Sequence, residues 1–283
     1  MPLHDFRSPR LFVAAPLRSG ATVALDAAQG HYLTGVLRLQ AGDPVLVFNG
    51  KDGEWQGRLA GTGKRTELGI GNQMRPQGPA SDLHYLFAPL KRARLDYMVQ
   101  RAVEMGVSRL QPVMTRHTQA ERVNLERMHA NAIEAAEQCG ILGIPEIMPS
   151  VTLDRAVAAL ESGRHLVFCD EDAPAANPVA ALEQDLARRD HRVGQGGGHA
   201  GDTGRGGMQA SGHTGIPLAV LIGPEGGFDE AERALLRQRP HTSRISLGPR
   251  ILRADTAAVA ALAIVQAAAG DWRAPAEPCK TQE

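Results

Sequence analysis

Two loops rich in glycine and proline constrain this chain more than any other feature. The first, Leu221-Ile222-Gly223-Pro224-Glu225-Gly226-Gly227-Phe228, follows an apolar run from Pro217 to Ile222. The second, Leu247-Gly248-Pro249-Arg250-Ile251-Leu252-Arg253, follows the run Arg244 to Leu247. Each run reads as a buried strand and each loop leads into a helical pattern, so both are strand-to-helix connections. In open α/β sheets, ligands bind at such loops, beyond the carboxyl ends of the strands. Glycine lets a ligand approach the main chain, and Pro224 and Pro249 stiffen the turns in advance of binding. Neither loop reads G-x-G-x-x-G or G-x-x-x-x-G-K-[ST], and Glu225 would repel a pyrophosphate. The residues alone therefore indicate either a small ligand that is not a phosphate or two tight turns of an α/β domain.

The rest of the chain divides in two. Residues 1–74 read as a small β domain, with strands at Arg10–Val13, Thr22–Leu25, Pro44–Phe48 and Glu54–Leu59. Asn49-Gly50-Lys51-Asp52-Gly53 is a hairpin signal between the last two. A helical piece, His31 to Leu39, interrupts the strands, and short strands at this spacing suggest a barrel or sandwich. Met74 to Ser81, with two prolines and a glycine, reads as the linker. From residue 80 to 273 strands and helices alternate, which implies a mostly parallel sheet covered on both faces. The expected strands are Leu83–Phe87, Arg109–Met114 and His165–Cys169. The expected helices are Arg92–Met105 (stopped by Gly106), Asn124–Cys139, Thr152–Leu160 and Pro178–Arg189. Gly194 to Gly215 is nearly half glycine, with almost nothing to bury, and reads as a flexible surface insertion. Asp229-x-x-Glu232 is a capping box for the helix after the first loop. Asp255 and Thr256 read as caps of a final helix, Ala257–Ala268, whose apolar surface all round implies deep burial or a partner chain. The tail, 274–283, reads as frayed.

Composition narrows the class. With 283 residues, 43% hydrophobic and 22% charged, the chain has the make-up of a globular protein of one or two domains. Met1 to Arg10 lacks a signal-peptide pattern and no apolar run could span a bilayer, so the expectation is a cytoplasmic protein. Cys139, Cys169 and Cys279 are sparse and odd in number, and the histidines have no ligand-like spacing, so neither a disulfide framework nor a metal site is expected. Net charge is zero, yet residues 1–127 hold 17 Lys and Arg against 11 Asp and Glu, and residues 128–283 hold 14 against 20. A positive front half is the footprint of a polyanion-binding region.

Taken together, the Gly223 and Gly248 loops resemble those of the SPOUT superfamily of S-adenosylmethionine-dependent RNA methyltransferases. More narrowly, the chain is similar to the RsmE family, which methylates uridine N3 in 16S ribosomal RNA of the small subunit. The similarity runs through Arg10-Leu-Phe-Val, His31 with Val36-Leu-Arg-Leu39, Leu95 to Val107, Glu137-Gln-Cys-Gly140, Pro145-Glu-Ile147, Leu221 to Gly227 and Leu247 to Thr256. It implies an N-terminal PUA-like RNA-binding barrel, a C-terminal α/β domain with a deep trefoil knot, and a homodimer. It also implies 16S rRNA, within the 30S subunit, as partner.

By position, the resemblance places S-adenosyl-L-methionine against Ile222, Gly223, Gly226, Gly227, Leu247, Gly248, Ile251 and Leu252, with the loop after Cys169 as a third wall. N3 methylation needs a cation to stabilise the deprotonated uracil and a carboxylate to take the proton, and Arg253 and Asp255, both adjacent to the second loop, are the candidates. Capping of the last helix is the competing role for Asp255. Glu225 is expected to orient Arg253 or to accept from the cofactor ammonium, with a plain surface carboxylate as the competing reading. Arg10, Arg38, Lys91, Arg92 and Arg94 are candidate RNA contacts, and His31 and His117 are read as structural. Two departures stand out. Ile141-Leu-Gly-Ile144 occupies a segment where relatives carry arginines, and Asp255 stands where they often have Glu. Rival readings are a SPOUT enzyme acting on another base or a ribose 2′-OH, and a non-catalytic ribosome assembly factor.

Overall fold

The computed structural model describes residues 8–61, 65–79, 81–119, 122–174, 176–195 and 216–273. The glycine-rich insertion beyond residue 195 and the tail from 274 lie outside the described residues. By packing, residues 1–80 with 130–144 form one compact unit, and residues 81–129 with 145–283 form the other. The 130–144 segment thus interrupts what the sequence presents as one continuous second domain.

The first unit is built on β1 (Arg10–Phe12), β2 (Thr22–Ala24), β3 (Pro44–Phe48), β4 (Glu54–Ala60) and β5 (Glu67–Arg75). They form a five-stranded sheet in the order β1-β3-β4-β5-β2. β1 runs parallel to β3 and the other neighbours are antiparallel. Alternate side chains close over a core of Leu11, Val13, Val23, Leu33, Val45, Val47, Leu59, Leu68 and Ile70, and register shifts near Trp55 bend β4 against β5. The 49–53 hairpin forms as its residues dictate: Asn49 Oδ1 accepts from the main-chain N–H groups of Lys51 and Asp52. Gly53 adopts φ +81° where a Cβ would meet the Arg75 carbonyl at 2.3 Å.

β5 was not legible in the sequence. Its Gly69 and Gly71 mask the alternation, and the linker expected from Met74 begins only after Arg75. The expected single helix from His31 is instead α1 (Ala27–His31), capped by Asp26 and Gln29, followed by a π-turn over Tyr32–Val36.

The second unit holds β6 (Leu83–Phe87), α2 (Arg92–Glu104), β7 (Arg109–Met114), α3 (Leu125–Gln138, whose second half packs with the first unit), β8 (Glu146–Ile147), β9 (Val151–Thr152), α4 (Leu153–Ala159), β10 (His165–Cys169), α5 (Pro178–Gln195), β11 (Leu218–Ile222), α6 (Glu230–Gln238), β12 (Thr242–Ile245) and α7 (Ala254–Ala269). Its sheet runs β12-β10-β11-β6-β7-β8, with β9 also on β7. Every pair is parallel. β6 and β11 are buried at every position, as apolar strands covered on both faces must be. α2 presents Leu95, Met98, Val99, Ala102 and Val103 to the core and ends where Gly106 turns to φ +79°. α7 packs on α2, α5 and β11. Its burial is one-sided: Ala257, Ala258, Ala261, Leu262 and Val265 are buried, while Val259, Ala260, Ala263 and Ile264 stay half-exposed.

One boundary moves for a physical reason. α7 starts at Ala254, so its N-cap position is Arg253, without a side-chain cap bond. Asp255 sits inside the first turn and is not the cap the sequence suggested. The capping box of α6 forms as expected, with Asp229 and Glu232 each bonding the other's main-chain N–H. No helix among the described residues is long and apolar enough to cross a membrane.

Candidate cofactor cleft

The loops following β10, β11 and β12 converge because those strands are direct neighbours around β10. They enclose a cleft of about 530 Å³ walled by Cys169–Glu171, Ile222–Phe228 and Ser246–Leu252, with Ala254 and Ala257 of α7. All eight positions expected to face a cofactor line it: Ile222, Gly223, Gly226, Gly227, Leu247, Gly248, Ile251 and Leu252. Its walls mix apolar side chains with main chain, the usual make-up of a small-molecule site.

The first loop is shaped from below. Phe228 is 2% exposed and stacks edge-on against Phe168, with ring centroids 6.1 Å apart. Gly223 lies directly on that ring, so a Cβ there would meet it at 2.9 Å. His117 packs on Gly226 and its Nδ1 lies 3.2 Å from the Gly227 carbonyl oxygen, a supporting role. In the second loop Gly248 adopts φ +102°, and a Cβ there would project into open space. Its N–H reaches Ser246 Oγ at 3.4 Å. The main-chain N–H and C=O groups of Leu247, Ile251 and Leu252 make no hydrogen bond among the described residues. Such groups suit the edge of a heterocycle. Ile251 is wholly exposed.

The floor holds a group that sequence reasoning missed. Asp170, just past β10, has no exposed side-chain surface. Its carboxylate accepts from Arg233 Nε at 3.2 Å and from Arg244 Nε at 2.7 Å. Asp170, Glu171 and Asp172 lie close enough to suggest cation ligands, but the two guanidiniums already occupy the buried carboxylate. The chain carries no local signal for this cluster, since its three members come from β10, α6 and β12.

The charged candidates separate into distinct places. Arg253 is exposed at the start of α7; its carbonyl accepts from Ala257 N–H, but its side chain makes no hydrogen bond or ion pair among the described residues. Glu225 does not reach it. Glu225 pairs instead with Arg94, whose Nη2 also donates to Asp255 Oδ1 at 2.8 Å. Hydrogen bonding from Arg94 holds the Asp255 carboxyl below its ordinary range, and its bonds with the main chain around Asp255 and Thr256 act the same way. Arg94, expected to meet RNA phosphates, is therefore engaged inside this unit.

Arg10, expected to do the same, is turned inward: its side chain is 9% exposed and bonds Glu54 at 2.7 Å. It also donates to the carbonyls of Ala136, Glu137 and Ile141 at the end of α3 and lies over the Phe48 ring at 4.5 Å. Arg75 completes the cluster, bonding Glu54 and the Gly140 carbonyl. Burial lowers the Arg10 pKa, with Glu54 opposing. Lys91 and Arg92, at the start of α2, are exposed, and so is Arg38 in the left-handed conformation at φ 57°. The Ile141–Ile144 departure falls in the segment that packs with the first unit.

A small five-stranded domain followed by a parallel α/β sheet with its cleft among three adjacent loops defines the class of SPOUT-type methyltransferases carrying a PUA domain. A sequence model described as the RNA methyltransferase domain matches residues 76–266, and one described as the RNA methyltransferase PUA domain matches residues 25–69. The chain belongs to the family of RNA methyltransferases that these two models describe. Among curated proteins it is 27% identical to ribosomal RNA small subunit methyltransferase E of Rickettsia conorii, covering 91% of this chain and 94% of that protein. It is 28% identical to the protein of the same name from Synechocystis, over 91% and 77% of the two chains. Among solved structures, a ribosomal RNA small subunit methyltransferase E from Neisseria gonorrhoeae, bound to S-adenosyl methionine, superposes with a TM-score of 0.73. It has 23% identity and covers 94% of this chain and 100% of that one. A Legionella pneumophila structure, described as a methyltransferase in complex with bound SAM, gives a TM-score of 0.72 at 26% identity. The coverage there is 94% of this chain and 99% of that one.

Proposed function

We propose that this protein transfers the methyl group of S-adenosylmethionine to N3 of a uridine in 16S rRNA of the small ribosomal subunit. The observation that carries the reading is the cleft at β10, β11 and β12, formed by the loops that make the chain resemble the RsmE family. The Legionella relative, solved with SAM, shares this fold over nearly its full length, and the curated relatives are named for the small-subunit substrate.

The cleft residues fit the cofactor. Ile222, Leu252, Ala254 and Ala257 offer apolar walls, and the unpaired main-chain groups of Leu247, Ile251 and Leu252 offer donors and acceptors to an adenine edge. When bound, the cofactor supplies a methyl group already activated as a sulfonium, so the protein contributes mainly positioning. Uridine N3 must give up its proton, to solvent water, to become nucleophilic. Arg253, exposed and unpartnered beside the second loop, stabilises the resulting uracil anion and lowers the N3–H pKa. Asp255 is a poor acceptor while it is bonded to Arg94, because its depressed pKa weakens it as a base. Arg253 therefore carries the larger share of the chemistry.

Lys91, Arg92 and Arg38 are the exposed cations available to RNA phosphates among the candidates. A second copy of the chain covers the half-exposed Val259, Ala263 and Ile264 of α7 and the exposed Ile251. Action on ribosomal RNA places the protein in the cytoplasm.

The test incubates the protein and labelled S-adenosylmethionine with 30S subunits from a strain lacking the modification, then maps the product nucleoside by mass spectrometry. The expected product is 3-methyluridine at one site, lost in Arg253→Ala. A 2′-O-methyl product would overturn the substrate assignment. Cofactor binding with no transfer to RNA would leave the assembly-factor reading.

A further inference from the structure

Arg94 belongs to neither cofactor loop, yet it touches the first loop and the start of the helix that leads out of the second. Its guanidinium, reaching from the first turn of α2, bonds Glu225 of the loop after β11 and Asp255 just beyond the loop after β12. The Asp255 contact is two-pronged, with Nη2 to Oδ1 at 2.8 Å and Nε to Oδ2 at 3.3 Å. That planar geometry fixes orientation as well as distance. Three elements far apart in sequence are thereby joined at the rim of one cleft.

The cluster is poorly explained as a stability device. The three side chains are 30%, 53% and 18% exposed, and ion pairs in such settings contribute only about 0–1 kcal/mol. The position is also unfavourable for a cation: Arg94 sits in the first turn of α2, which contains no acidic residue, where the helix dipole disfavours positive charge. Asp255, by contrast, lies in the first turn of α7, where negative charge is favoured. It is a fixed anchor, and Arg94 is the arm that reaches it. What the contact does accomplish is geometric. Both loops present main chain to the cleft, and a main-chain site binds well only when its loops are ordered beforehand.

We propose that Arg94 is a positioning residue for the cofactor cleft: through Glu225 and Asp255 it ties the first glycine loop to the start of α7, where the second loop ends, and so sets the spacing of the loops' main-chain groups. The proposal rests on the methyltransferase reading above. It assigns Arg94 to the cofactor and away from RNA, and it gives Glu225 and Asp255 a common role that neither loop suggests alone.

The experiment measures S-adenosylmethionine affinity of the full chain by calorimetry, alongside 30S affinity by filter binding. Arg94→Gln is expected to raise the cofactor Kd about 10-fold, equivalent to about 1.4 kcal/mol, with 30S affinity and the thermal midpoint nearly unchanged. Asp255→Asn should weaken the cofactor similarly, and the Arg94→Gln/Asp255→Asn double variant should be no worse than either single one, because all three break the same tie. Glu225→Gln, altering an exposed carboxylate that folding does not require, should show a smaller loss in the same direction. In turnover the loss should fall on KM for the cofactor more than on kcat, and Arg94→Lys should recover part of it. Unchanged cofactor affinity in Arg94→Gln, additive losses in the double variant, or a loss of 30S affinity instead would each overturn the proposal. Wild-type protein that binds no S-adenosylmethionine would overturn the methyltransferase reading, which keeps the two failures distinct.

Discussion

Replacing Asp170 by Asn tests whether the floor of the cleft is held by charge or merely filled by it. The carboxylate is wholly buried, with Arg233 Nε 3.2 Å from each oxygen and Arg244 Nε 2.7 Å from Oδ2. Asn keeps the shape but removes the buried charge both guanidiniums face, leaving Arg233 only the exposed Glu171 and Asp172 and leaving Arg244 without its carboxylate. Removing one partner from a buried ion pair costs about 3–5 kcal/mol. Here the arginine side chains are 13% and 25% exposed and keep some hydration, which brings the expectation down to about 2–4 kcal/mol. Arg244→Met, removing the better hydrated partner, should cost less. The double variant should cost at least about 1 kcal/mol less than the sum of the two, since the residues share one contact. Urea unfolding followed by circular dichroism at 222 nm gives these values from shifts in midpoint at constant slope. The fit must allow two transitions because the chain packs as two units. A loss below about 1 kcal/mol for Asp170→Asn would refute the assignment of this cluster as a charged keystone.

Gly223→Ala places a Cβ 2.9 Å from the Phe228 ring, which is pinned against Phe168. It should cost about 1–3 kcal/mol and weaken S-adenosylmethionine binding measured by calorimetry, whereas Gly143→Ala, with nothing near the added methyl, should do neither. Burial holds His84 and His165 neutral, with pKa values lowered from 6.5 to about 4. The unfolded chain binds these protons first. Their stabilising contribution is thus complete above pH 6.5 and is lost as pH falls towards 4, at up to about 1.4 kcal/mol per pH unit for each. Urea midpoints at pH 7.5, 6 and 5 should show that slope, and His165→Asn should reduce it. Arg10→Met should lower stability by about 2–4 kcal/mol, because it strips a charge partner from buried Glu54 and donors from the α3 carbonyls. Arg38→Ala should leave stability intact and weaken 30S binding in a filter assay; the reverse pattern would restore Arg10 as an RNA contact.

What could be read from the sequence follows from what is local. A buried parallel strand is a continuous apolar run, so β6, β7, β10 and β11 lie within a residue of where their hydrophobicity places them. The Asp229–Glu232 box and the Gly106 stop depend on neighbours three or four residues away, and both form as expected. β5 failed for the complementary reason. Its glycines carry no side chain to show alternation, and only pairing with β4 and β2 makes it a strand. The α7 start shifted because the main chain can enter a helix at Arg253 without the side-chain cap that Asp255 and Thr256 seemed to offer.

For the candidate site, the sequence by itself marked the two glycine loops as stiff strand-to-helix connections but left a ligand site and two tight turns both open, and only the resemblance named the loop after Cys169 as a third wall. Glycine and proline at fixed places between an apolar run and a helical pattern allow few other conformations. Partners of charged side chains were a different matter. Arg10 and Arg94 look alike in the sequence, as cations in a positive front half. Yet one is buried against Glu54 and the carbonyls ending α3, and the other bridges Glu225 and Asp255. Asp170 looks like a surface acid and is the buried partner of two arginines. A long charged side chain can reach any of several groups, and which one it meets depends on elements separated by tens of residues. Only the tertiary structure, by bringing α2, the β11 loop and α7 to one rim, decided that.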